Sequence, residues 1–107
     1  MITGKIKNKN YKILVVKLRN KKNPAEMHEK ADDLYFVLEG SAKLTLGGKI
    51  IGKQKIRNGE YIGNKISSGK TIILKKGDVV SIVRKTPHLM DATSKKIKYA
   101  VVKIYGK

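Results

Sequence analysis

The sequence has 107 residues, with 25 lysines and arginines against 8 acidic residues and a formal net charge of +17. That length supports one domain with one core, residues 1–107, and the absence of cysteine excludes disulfides, thiolate zinc sites and thiol catalysis, which fits an intracellular setting. Met1-Ile2-Thr3-Gly4-Lys5 lacks the apolar run of a signal peptide and no segment approaches the roughly 18 uninterrupted apolar residues of a membrane span, so the expectation is a cytoplasmic protein without membrane association.

Residues 2–7 alternate weakly, and Asn8-Lys9-Asn10 reads as a turn. Tyr11 to Arg19 is rich in β-branched residues and too short for a convincing helix, so it reads as a strand. Asn20 to Pro24 breaks it, and the proline biases Asn23 towards an extended conformation. Leu34-Tyr35-Phe36-Val37-Leu38 is apolar on both faces, which places it inside a packed structure rather than at an edge. Gly40 ends that strand, and Ala42 to Leu46 alternates as a half-buried one.

Gly47-Gly48 signals a hairpin into Lys49-Ile50-Ile51, and Asn58-Gly59 a second hairpin, of the type with positive φ at both central residues. Thr71 to Leu74 reads as a short strand, Lys75 to Asp78 as a turn, and Val79 to Val83 and Ile97 to Tyr105 as strands. No stretch carries an amphipathic helical period. About ten short strands at turn spacings of roughly 8–12 residues predict an all-β sandwich or barrel.

Ser67-Ser68-Gly69-Lys70-Thr71 resembles the end of a phosphate-binding P-loop, but the required earlier glycine falls on Asn64. The P-loop mechanism also needs a helix N-terminus facing the phosphates, whereas Thr71 onwards reads as strand.

Five of the 8 acidic residues, Glu26, Glu29, Asp32, Asp33 and Glu39, lie in one stretch with His28. In an extended segment Glu26 and His28 project from the same face, with Cα atoms roughly 6.5–7 Å apart. Both could converge on one ion at about 2.0–2.2 Å, with Asp33 at the start of the next strand. His88, the second histidine, completes two imidazoles and two carboxylates if the sheet brings it beside His28. Such a set suits Mn, Fe, Ni or Zn. Glu29, Asp32 and Glu39 read as solvated or turn residues.

These segments resemble the two motifs of the cupin superfamily. The first, G-x5-H-x-H-x3,4-E-x6-G, is matched in spacing by Glu26-x-His28-x4-Asp33-x6-Gly40. The second, G-x5-P-x-G-x2-H-x3-N, is matched by Gly77-x5-Val83-x-Lys85-x2-His88-x3-Ala92. The resemblance spans residues 24–92 and implies a small single-domain jelly-roll β-barrel, a double-stranded β-helix, holding one divalent transition metal. It implies Glu26, His28, Asp33 and His88 as ligands. Glu26 stands where the family has a histidine and Asp33 where it has a glutamate, while Val83, Lys85 and Ala92 replace the second motif's Pro, Gly and Asn.

Tyr35 shares the face of Asp33 and is a candidate pocket residue, as is Met90, two beyond His88; Val37 reads as core. Arg84, Lys85 and Thr86 fall at the expected pocket mouth. No catalytic residue stands out beyond the metal set, although Tyr35 or an unligated Glu26 could act as a base. The resemblance implies a metal protein acting on or binding a small oxygen-rich molecule, as a dioxygenase or an isomerase, and a homodimer. A non-catalytic sensor of a small ligand or metal is the alternative. Nucleic acid is the partner that the +17 charge suggests. Three arginines only, and lysines alternating with Ile, Val and Leu as solvent-facing strand positions do, argue against it.

Overall fold

The computed structural model describes residues 2–106. Twelve strands follow in order: β1 (Ile2–Lys7), β2 (Tyr11–Arg19), β3 (Ala25–His28), β4 (Ala31–Leu46), β5 (Lys49–Ile51), β6 (Gln54–Arg57), β7 (Glu60–Gly63), β8 (Lys65–Ser67), β9 (Lys70–Lys75), β10 (Val79–Ile82), β11 (His88–Asp91) and β12 (Lys96–Tyr105). No helix is long and apolar enough to cross a membrane. The all-β expectation holds, and the strands form a jelly-roll barrel in which one sheet carries β1, β2, β12, β4 and β10. The facing sheet carries β9, β11, β3, β7, β6 and the second half of β4.

Strand β4 belongs to both sheets. Its first half pairs with β12 and β10, and its second half with β9 and β11. Gly40 does not end a strand here but bends it: its φ is 76°, and a β-carbon there would collide with the carbonyl oxygen of Lys96. Only glycine takes both the left-handed backbone and the close approach without strain. The register against β12 shifts beside this point, as a bulge requires.

Inner-facing positions alternate along the strands and meet in one core, which includes Leu14, Leu18, Tyr35, Val37, Leu44, Leu74, Ile82, Met90, Tyr99 and Val101. Strand β4 lies in the interior of its sheet, yet it is not buried on both faces. Phe36 and Leu38 point outwards at 36% and 41% exposure.

Two turn expectations change. Gly47 and Gly48 both have positive φ, but β5 leaves β4 and pairs with β8 in a separate two-stranded sheet. At Asn58-Gly59 the hairpin between β6 and β7 forms, with positive φ at Gly59 alone and a register shift between Lys55 and Arg57. A bulge absorbs the twist that two left-handed residues would otherwise supply.

Candidate metal centre

Pro24 delivers the chain into β3, where the two-residue period puts Glu26 and His28 on the inner face. Two neighbours hold this short strand: β7, with Glu60 opposite His28, and β11, with His88 opposite Glu26. Strand β4 brings Asp33 in from the other sheet, in register with Lys103 of β12. Strands β3, β4 and β11 thus bring the four residues to one spot, with β7 and β12 beside them.

Ligand-capable atoms of Glu26, His28 and His88 all lie within 4.8 Å of one another. His28 Nε2 is 3.3 Å from Asp33 Oδ2, and His88 Nε2 is 3.7 Å from the same oxygen and 3.9 Å from Glu26 Oε1. Atoms each about 2.0–2.2 Å from a shared ion are separated by distances of this order. The structure therefore brings Glu26, His28, Asp33 and His88 together. Asp33 differs from the other three in that its second oxygen, Oδ1, accepts a 2.8 Å hydrogen bond from Lys103 Nζ.

Groups behind each imidazole fix its orientation. His88 Nδ1 donates to the Thr86 carbonyl at 3.0 Å, which leaves the lone pair on Nε2. That Nε2 is buried without a hydrogen-bond partner among the described residues, in a side chain 2% exposed. His28 Nδ1 lies 2.7 Å from Glu60 Oε1, so Glu60 holds the ring while Nε2 faces the site. A carboxylate or carbonyl behind a histidine is the arrangement that orients metal-binding imidazoles.

The titration directions follow from these contacts. Burial depresses the pKa of His28, but the hydrogen bond it donates to Asp33 and the charges of Asp33 and Glu60 outweigh it and hold the pKa above the ordinary value. Burial also pushes Asp33 up, and here His28 and Lys103 prevail, leaving it below the usual carboxylate range. For His88 burial wins, assisted by the neighbouring His28, and the ring is held neutral. Burial drives the phenols of Tyr35 and Tyr99 up, so both stay protonated and able to donate.

A cavity of about 470 Å³ opens beside the cluster, lined by Glu26, His28, Asp33, Tyr35, Tyr99 and Lys103 among others. That volume lies within the range that takes small ligands. Tyr35 lines it as expected. Met90 does not: it packs into the core, opposite Leu44 of β4.

Arg84, Lys85 and Thr86 are not a cationic mouth. Arg84 is committed to Asp32, with its Nε 3.1 Å from Oδ1, and to the Gly106 carbonyl. Lys85 has φ 70° and donates its backbone N–H to the His28 carbonyl. Asp32 is accordingly not a free turn residue but the anchor of the loop before β11, and Glu29 accepts a hydrogen bond from Tyr61 at 3.3 Å. Glu60 and Lys103 were not singled out from the sequence. For Lys103 a signal existed: it continues the inner-face parity of Ile97, Tyr99 and Val101. For Glu60 none did, since its pairing with β3 is set by the sheet.

No family model matches the sequence, and no curated protein matches it. Solved structures do. A cupin protein from Bacteroides fragilis is 16% identical with a TM-score of 0.67, over 92% of this chain and 69% of that one. The cupin domain of Cnp3 from Schizosaccharomyces pombe is 10% identical with a TM-score of 0.68, over 96% and 59%. The DMSP lyase DddQ from Ruegeria pomeroyi is 18% identical with a TM-score of 0.65, over 91% and 39%. These likenesses show that the chain has a cupin-type fold.

Proposed function

We propose that this protein holds one divalent transition metal on His28, His88 and Glu26, with Asp33 Oδ2 beside them, and uses it to bind a small oxygen-rich molecule in the adjoining cavity. The observation that carries this reading is His88 Nε2. Its lone pair is buried, lacks a donor, and faces two carboxylates at 3.7 and 3.9 Å. Unpartnered buried acceptors cost about 1–3 kcal/mol, and a cation between the groups removes that cost.

Two imidazoles with one or two carboxylates suit Mn, Fe, Ni or Zn. A bound ion of this kind supplies Lewis-acid polarisation of an oxygen placed against it. The chain's own residues do the rest. Glu60 and the Thr86 carbonyl hold the imidazoles with Nε2 inward. Tyr35 and Tyr99 offer protonated phenols along the cavity wall, able to donate to a ligand oxygen. The likeness to DddQ supports a barrel of this kind hosting catalysis; DddQ's own substrate is not carried over.

Cobalt(II) titration tests the proposal, because cobalt reports its ligands through visible absorption. A single saturating equivalent is expected for the wild-type chain, with binding weakened at least about tenfold in His28→Gln and in His88→Gln. A wild-type chain that shows no cobalt-dependent band, or variants that match it, would remove the reading.

A further inference from the structure

A row of lysines runs into this site. Lys7 of β1 is paired with Lys12 of β2, Lys12 with Lys103 of β12, and Lys103 with Asp33 of β4. Partners across an antiparallel ladder project to the same face. Asp33 is 1% exposed and inner-facing, so the whole row lies on the inner face. Lys5 joins it, paired with the buried Leu14 on the same side of the sheet.

Like charges directly opposite one another weaken a sheet. Among the described residues only Lys103 of these four has a carboxylate within ion-pair distance, Asp33 at 2.8 Å. Lys12 is held below its ordinary pKa by burial and then by Lys103, Lys5 and Lys7, with Glu60 acting the other way. Lys103 also lines the cavity together with Glu26, His28 and both tyrosines.

We propose that the cavity's ligand is a small organic oxyanion, a carboxylate or a phosphate ester, whose acidic group is held by Lys103, with the charge of Lys12 beside it, while its remaining oxygens face His28 and Glu26. Lys7 and Lys5 extend the positive field outwards along the approach. The orientation of the ligand rests on the metal reading, but the preference for an anion does not. The four lysines outnumber Glu26, Asp33 and Glu60 without an ion, and a divalent ion adds to the positive excess, so an anion is favoured in either state and a cation is not.

Calorimetric titrations of the full chain, metal-free and cobalt-loaded, at low salt and neutral pH test this with malonate, methyl phosphate and the neutral malonamide. Binding of malonate or methyl phosphate is expected to be at least about tenfold tighter than that of malonamide, and to weaken about fivefold or more in Lys12→Met. Whichever of the two anions binds tighter identifies the acidic group. Lys76→Met removes the same unit of charge from an exposed turn and is expected to change affinity less than about twofold. Equal binding of malonate, methyl phosphate and malonamide would overturn the inference, as would Lys76→Met weakening binding as much as Lys12→Met. Lysine-dependent anion binding by metal-free protein that takes up no cobalt would uphold this inference and reject the metal reading. Cobalt uptake without any anion preference would do the reverse.

Discussion

Glu60 fixes the His28 imidazole with Nε2 towards the site. Its carboxylate sits 2.7 Å from Nδ1 and is contributed by the strand hydrogen-bonded to β3. With Asp33 on the other nitrogen, His28 is flanked by carboxylates on both sides, and its pKa is raised in the metal-free protein. Metal binding must displace the proton on Nε2. The loss of affinity with falling pH therefore sets in above the ordinary imidazole value of about 6.5, not below it, and steepens as pH falls further. His88, held neutral by burial, adds little to that slope near neutrality. Cobalt titrations at several pH values check the onset. In Glu60→Gln the same titration is expected to show metal affinity reduced about 10- to 100-fold at neutral pH.

At the scale of elements, positive φ explains both where the motifs fit and where they depart. Asn20, Lys85 and Gly40 have φ of 46°, 70° and 76°, and the first two stand where the cupin motifs carry glycine. The backbone keeps the bend although the residue has changed. Left-handed backbone costs a side-chain-bearing residue roughly 1–2 kcal/mol, so Lys85→Gly is expected to raise stability by about 1 kcal/mol. Gly40→Ala is expected to lower it by more than about 2 kcal/mol, because strain adds to the collision with Lys96. Thermal or urea unfolding of the two variants should move in opposite directions.

Gly40 also shows why local signals stop short. A glycine between two apolar runs reads as a terminator, while here it carries one strand across from one sheet to the other. Likewise Gly47-Gly48 shows that the chain turns but not that β5 will pair with β8. Strand identity and inner-face parity were legible because side chains alternate with period two. Pairing partners were not, because they are chosen by packing at long range.

Over the whole molecule, that division also separates the site residues. Glu26, His28, Asp33 and His88 were legible from spacing along two segments. Glu60, Lys103 and the lysine row become visible only when β7, β12, β2 and β1 are laid beside them. The middle of the outer face of the same sheet is apolar, flanked by a row of Lys17, Lys98 and Glu39. Val15, Ala100, Phe36 and Val79 form one row across four strands, and Ile6, Ile13, Val102 and Leu34 the next. Phe36 and Val79 are both exposed on a surface otherwise rich in lysine. Contiguous exposed apolar area of this kind marks an interaction surface. We propose that a second copy of this chain covers it, since one apolar patch can pack against its own two-fold mate. Sedimentation velocity is expected to give a dimer for the wild-type chain and a monomer for Phe36→Lys; a wild-type monomer at all concentrations would refute this arrangement.

We propose that Glu26, His28 and His88, with Asp33 beside them, form a metal site. Elemental analysis of protein purified without chelators, wild type beside His88→Ala, tests it most directly. Near-stoichiometric transition metal is expected in the wild type and much less in the variant. Equal metal in both, or none in either, would contradict it.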